Sequence, residues 1–136
     1  MAEPTENERA WIAAQYAAAE KYLRQEEIEH GGVRGYPAFH VHPDAAIWAV
    51  QSSSSPGKIV YWVVTGTLPT TWHVSITDCP GPREALREVS RSFLQTASFL
   101  RRENLSFDPR ILTPYEPEMA GRFQSAAEML LRYTEK

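Results

Sequence analysis

Cysteine is all but missing. Cys79 is the only one in 136 residues, so no internal disulfide can form and a reducing compartment is the default. Long apolar runs are missing too, and the few-residue runs present fall far short of a membrane span. The stretch from Met1 to Glu8 is acidic and polar, the wrong chemistry for a signal peptide. Charge of either sign is in little excess: a net −3 does not draw the chain to nucleic acid or anionic lipid. No internal repeat is present, and the only low-complexity tract is the run of serines at 52–55. What is there is ordinary: 43% apolar and 23% charged residues, the balance of a globular protein and not of a disordered chain. The expectation is one cytoplasmic domain spanning 1–136, with residues 1–4 disordered. These facts name no activity.

Thr5 and Glu8 have the capping-box spacing, and Ile12, Tyr16, Ala19 and Leu23 recur at helical spacing behind them. Trp11 and Tyr22 widen that stripe. A helix is predicted over about 5–30, with His30 complementing the dipole and Gly31 or Gly32 taking the left-handed cap. Gly35, Pro37 and Pro43 make 33–44 an extended, ordered connection. Residues 46–51 and 58–66 are dense in β-branched and aromatic residues, and a serine-rich turn ending Pro56-Gly57 joins them as a hairpin. Residues 72–77 alternate as a third strand. Pro82 suits the first turn of a second helix to about 104, with Leu86, Val89, Phe93, Ala97 and Leu100 on one stripe. Pro109 and Pro114 mark a surface crossing at 105–115, and a third helix runs over 117–134. The fold class is α+β in the order α-β-β-β-α-α, a three-stranded antiparallel sheet packed against three helices.

The strands at 46–51 and 58–66 are apolar on both faces, unlike a sheet with one wet side. With three helices on one face, the other needs the 36–43 segment or a second copy of the chain. A large apolar patch left open marks an interface.

Several residues have chemistry to offer. In extended backbone His40 and His42 point to the same side, so the run His40-Val41-His42-Pro43-Asp44 can present two imidazoles to one Zn²⁺. That spacing resembles the opening of the metallo-β-lactamase ligand motif, but Ala45 stands where the next histidine belongs, and no metal is assigned. Cys79 lies just before a predicted helix N-terminus, a place that favours the thiolate, with His73 as a base and Asp78 to orient it. Against this, a lone cysteine is ordinarily a small buried hydrophobe. Arg83, Arg87 and Arg91 form a ridge suited to phosphate, yet Glu84 and Glu88 sit three residues before Arg87 and Arg91 and give surface ion pairs instead. The glycines at 31, 32 and 35 follow a helix rather than precede one, so they are a helix stop and not a phosphate cradle. Trp48 and Trp62 are core, whereas Trp72 and Tyr36, beside loops and prolines, are placed for partner contact.

Glu29-His30-Gly31-Gly32-Val33, Tyr36-Pro37-Ala38-Phe39-His40-Val41, Ala46-Ile47-Trp48-Ala49-Val50-Gln51-Ser52 and Pro56-Gly57 come in sequence. Tyr61-Trp62-Val63-Val64, Gly66-Thr67-Leu68-Pro69-Thr70 and Asp78-Cys79-Pro80-Gly81-Pro82-Arg83-Glu84-Ala85-Leu86 follow. In this combination the chain, from about residue 11 to its end, resembles a bacterial family of cytoplasmic proteins, the domain of unknown function forty-eight twenty-six. The resemblance implies no activity to carry over. Members of that family typically have Trp-Trp in place of Tyr61-Trp62, and aspartates in the positions of Thr67 and Thr71. If those acids serve chemistry in the family, this chain lacks it, which weighs against an enzyme.

Two functions follow as expectations. The first is a protein-interaction or regulatory module, of the size and charge of a bacterial immunity protein, with a protein partner or a second copy of itself and neither nucleic acid nor membrane. The second is a small ligand-binding domain or hydrolase, its pocket between the 36–44 loop and the 72–83 segment. The candidate surface is Tyr36, His40, His42, Trp72, His73, Asp78, Cys79 and Arg83; no catalytic residue, metal or cofactor is assigned.

Overall fold

A computed structural model describes residues 5–105 and 116–134. The expected disorder at 1–4 and the proline-marked crossing after the second helix lie outside them. The described residues form helix α1 (Glu6–Gln25), strands β1 (Phe39–Val41), β2 (Ala45–Gln51), β3 (Ile59–Gly66) and β4 (Trp72–Ser75), and helices α2 (Pro82–Leu105) and α3 (Glu116–Arg132). The class is α+β, with a sheet of four antiparallel strands in the order β1-β2-β3-β4.

The sheet therefore has one strand more than the sequence patterning gives. Phe39, His40 and Val41 pair with Ile47, Ala46 and Ala45. A three-residue strand between Pro37 and Pro43 carries no periodicity of its own, and pairing with β2 is what holds it extended. The chain before it also runs along β2: Gly31 donates to the Gln51 carbonyl at 2.8 Å and Arg34 to that of Ala49 at 2.9 Å. A Cβ on Gly31 would lie 2.2 Å from the Ser52 carbonyl oxygen, so this approach needs glycine.

The layering also differs from expectation. Alternation along β2 sends Ala46, Trp48 and Val50 to one face and Ala45, Ile47 and Ala49 to the other. The first set packs with Val63 against Ile12, Ala19, Tyr22 and Leu23 of α1. The second packs with Trp62, Val64 and Val74 against Leu86, Val89 and Phe93 of α2 and Ala126, Ala127 and Leu130 of α3. The helices thus divide one against two, and α1 covers the face for which a loop or a second copy was expected. Inside, Trp48 Nε1 donates to Thr65 Oγ1 at 3.1 Å and Trp62 Nε1 to the Cys79 carbonyl at 2.7 Å. Both indoles bury their area without leaving a donor unpaired.

Helix α1 opens as the capping spacing predicts, with Thr5 Oγ1 accepting from the Glu8 amide at 3.1 Å. It stops earlier than expected, and without glycine. Glu27 takes φ 54°, while Ile28 donates to the Leu23 carbonyl at 3.0 Å and Glu27 to that of Arg24 at 3.1 Å. This is a Schellman closure, with Ile28 packed against the α1-side core. His30 lies beyond the helix, its Nδ1 accepting from the Gly32 amide at 2.9 Å.

Candidate functional site

The expected site residues fall into three places. On the α1 face at the β1 edge, His40 in the strand and His42 in the turn after it both meet Trp11 of α1. The His42 ring meets the Trp11 ring edge-on at 5.1 Å and the His40 ring lies 6.4 Å from it. Tyr36 stands perpendicular to His40 at 5.8 Å and is 58% exposed. Beside this row lies a cleft of about 470 Å³ between α1 and the chain at 35–36, walled by Ile12, Ala13, Tyr16 and Tyr36, with Arg9 at its rim.

His73 lies on the same face of the sheet but at the opposite edge, with β2 and β3 between it and the histidines of β1. Tyr22 of α1 and His73 Nδ1 are 2.7 Å apart, and the Tyr61 ring meets the imidazole edge-on at 5.5 Å. Desolvation pushes the His73 pKa down against the pull of Glu26, and pushes that of Tyr22 up to about 12. Burial thus favours the neutral imidazole, and which of the two partners donates depends on which ring nitrogen carries the hydrogen. His73 also borders a polar hollow of about 420 Å³ with Glu27, Glu29 and two serines, Ser52 and Ser53. Trp72, its neighbour, is exposed at the edge of the sheet.

Cys79 is on the other face, 2% exposed in the core beneath α2. Burial raises its thiol pKa first, and the carboxylates of Glu88, Asp78 and Glu84 raise it further. The helix-terminus position that favours a thiolate is outweighed by desolvation and surrounding negative charge. Asp78 and Arg83 lie exposed nearby. The single pocket expected between the 36–44 loop and the 72–83 segment is thus not formed, because two strands and the thickness of the sheet separate its members. Among the described residues no group of three or more histidine, cysteine or acidic side chains is arranged to hold a metal ion. Among them, too, no helix is long and apolar enough to cross a membrane. Of the arginine ridge, Arg91 pairs with Glu88, as the three-residue spacing predicts.

Sequence reasoning missed two features. One is Trp11, read as core but forming the centre of the aromatic row with His40 and His42. The other is Asp44, read as the end of a ligand motif. Its Oδ2 accepts the Tyr133 hydroxyl hydrogen at 2.5 Å, and it borders a cleft against α3. Neither had a local signal, since both contacts bring together distant parts of the chain.

The class these features define is an α+β domain whose antiparallel meander is clasped between one helix and a helical pair. The chain belongs to the family of the domain of unknown function DUF4826, whose model matches residues 5–135. No curated protein and no solved structure matches the chain.

Proposed function

We propose that this protein is an interaction module, and that the surface built by Trp11, Tyr36, His40 and His42 receives an apolar anchor side chain from a protein partner. The observation that carries this reading is Tyr36. A large aromatic side chain held 58% exposed beside a concave apolar cleft is the arrangement found at the centre of binding patches. Tyrosine and tryptophan give contact area at little cost in rotamer entropy, and the histidines around them add polar groups that fix orientation. Covering a partner's site in this way is a regulatory or neutralising role. The lone cysteine and the absence of charge suited to nucleic acid agree with a cytoplasmic bacterial setting.

Placing a photo-crosslinking amino acid at position 36, with a control at Lys58, tests the reading in the protein's own host. A discrete covalent adduct from position 36 and none from position 58 is expected. An adduct of twice the mass of the chain identifies the partner as a second copy. No adduct, or equal adducts from both positions, overturns it.

A further inference from the structure

A second concavity, independent of the aromatic row, lies on the opposite side of the sheet. It is a cleft of about 920 Å³ between α3 and two turns, the one joining β1 to β2 and the one after β3. Its strand-side wall is fixed by backbone bonds. Asp44 donates to the Val41 carbonyl at 2.7 Å and accepts from the Thr67 amide at 3.0 Å, while Thr67 Oγ1 donates to the Pro43 carbonyl at 2.9 Å. Gly66 makes that approach possible, because a Cβ there would stand 2.1 Å from the Asp44 carbonyl oxygen. Tyr133 then holds one carboxylate oxygen of Asp44, and the other accepts no hydrogen bond among the described residues.

The opposite wall is α3, where Glu118 and Arg122 lie one turn apart on the cleft side. That spacing ordinarily gives an ion pair, but none joins them among the described residues. Between the walls the floor is apolar: Leu68, Pro69, Ala126 and Met129. A few convergent charged groups over an apolar floor make the usual form of a small-molecule site. Two carboxylates and one guanidinium select for a ligand with both signs of charge. Asp44 and Glu118 offer carboxylates to an ammonium group, Arg122 offers a guanidinium to a carboxylate, and the floor offers apolar surface to the body between them.

We propose that the Asp44–Arg122 cleft binds a small apolar zwitterion, an amino acid or short peptide with a free amine and a free carboxylate.

The test is a titration of the isotopically labelled full chain, followed by nuclear magnetic resonance, with leucine, leucyl-leucine, leucinamide and hexanoate as probes. Leucine or leucyl-leucine is expected to shift the amide signals of Gly66, Thr67, Gly121 and Ser125, and the tighter of the two identifies a free amino acid or a peptide as the source. Leucinamide, without the carboxylate, is expected to bind about tenfold more weakly, the loss of one charged contact. Arg122→Gln, a change at an exposed helix position, removes that preference. Asp44→Asn weakens all three amine-bearing probes about tenfold while leaving hexanoate unaffected. Absence of shifts at these amides up to about 10 mM overturns the proposal. So does hexanoate binding as well as leucine, or Arg122→Gln leaving the preference intact.

Discussion

Tyr133 gives its phenol hydrogen to Oδ2 of Asp44 at 2.5 Å, tying the chain just after α3 to the turn between β1 and β2 across 89 positions. Two residues before Asp44, His42 packs on Trp11 of α1. One short turn is thus anchored to both helical layers, and it sits at the border of both proposed sites.

Tyr133→Phe is expected to destabilise the fold by about 0.5–1.5 kcal/mol, the net worth of one hydrogen bond in partly exposed surroundings. Chemical denaturation of the variant beside the parent chain measures it. An unchanged midpoint would mean that the turn is held by its backbone bonds alone.

Glu27→Gly works in the opposite direction. Glutamate at φ 54° carries a side-chain penalty that glycine does not, and the Schellman hydrogen bonds need only the backbone. A gain of about 0.5–1 kcal/mol is expected, read as a rise in melting temperature.

Gly66→Ala is expected to be costly. The residue sits at φ 141° and its new methyl would meet Asp44 backbone, so backbone strain alone removes about 1–3 kcal/mol. Thermal melting should show a large drop, and the amide signals of Asp44 and Thr67 should move with it.

The Tyr22–His73 pair makes stability depend on pH in two windows. Folded His73 holds its proton less tightly than the ordinary value of 6.5, so the unfolded chain binds more protons just below that pH. Stability is full above about 7 and falls as pH drops through this window. Folded Tyr22 keeps its proton to about 12 instead of 10.0, so stability falls again as pH rises above 10. His73→Gln should flatten the acid limb and leave the alkaline one, as measured by urea midpoints across pH.

Cys79 should be inert in the folded protein. A buried thiol with a raised pKa offers little thiolate, so a disulfide reagent should label it only once denaturant opens the core. Rapid labelling of the native chain would restore the reading of Cys79 as a nucleophile.

Much of the fold was legible along the chain. The spacing of Ile12, Ala19 and Leu23, the stripe from Leu86 to Phe93 and the β-branched run at 59–64 each name an element and its buried residues. The exposure of Tyr36 and Trp72 followed from their place beside turns and prolines. What could not be read was anything whose cause lies far away in sequence. Strand β1 exists because β2 is beside it. Glu27 takes the cap because the chain must turn there to bring Gly31 alongside Gln51, although glycine lies only a few residues on.

Local periodicity therefore determined which residues are apolar on each element, and so what must be buried. It could not determine which face of the sheet each helix covers, because β2 and β3 are apolar on both sides and either face offers a comparable gain. The tertiary structure decided that by placing α1 alone on one side. The strand order put His73 at the far edge of the face that carries His40 and His42, while Cys79 lies in the core on the other face and Asp44 meets Tyr133. Strand alternation sends neighbours in sequence to opposite layers, and only packing between layers decides which distant side chains meet.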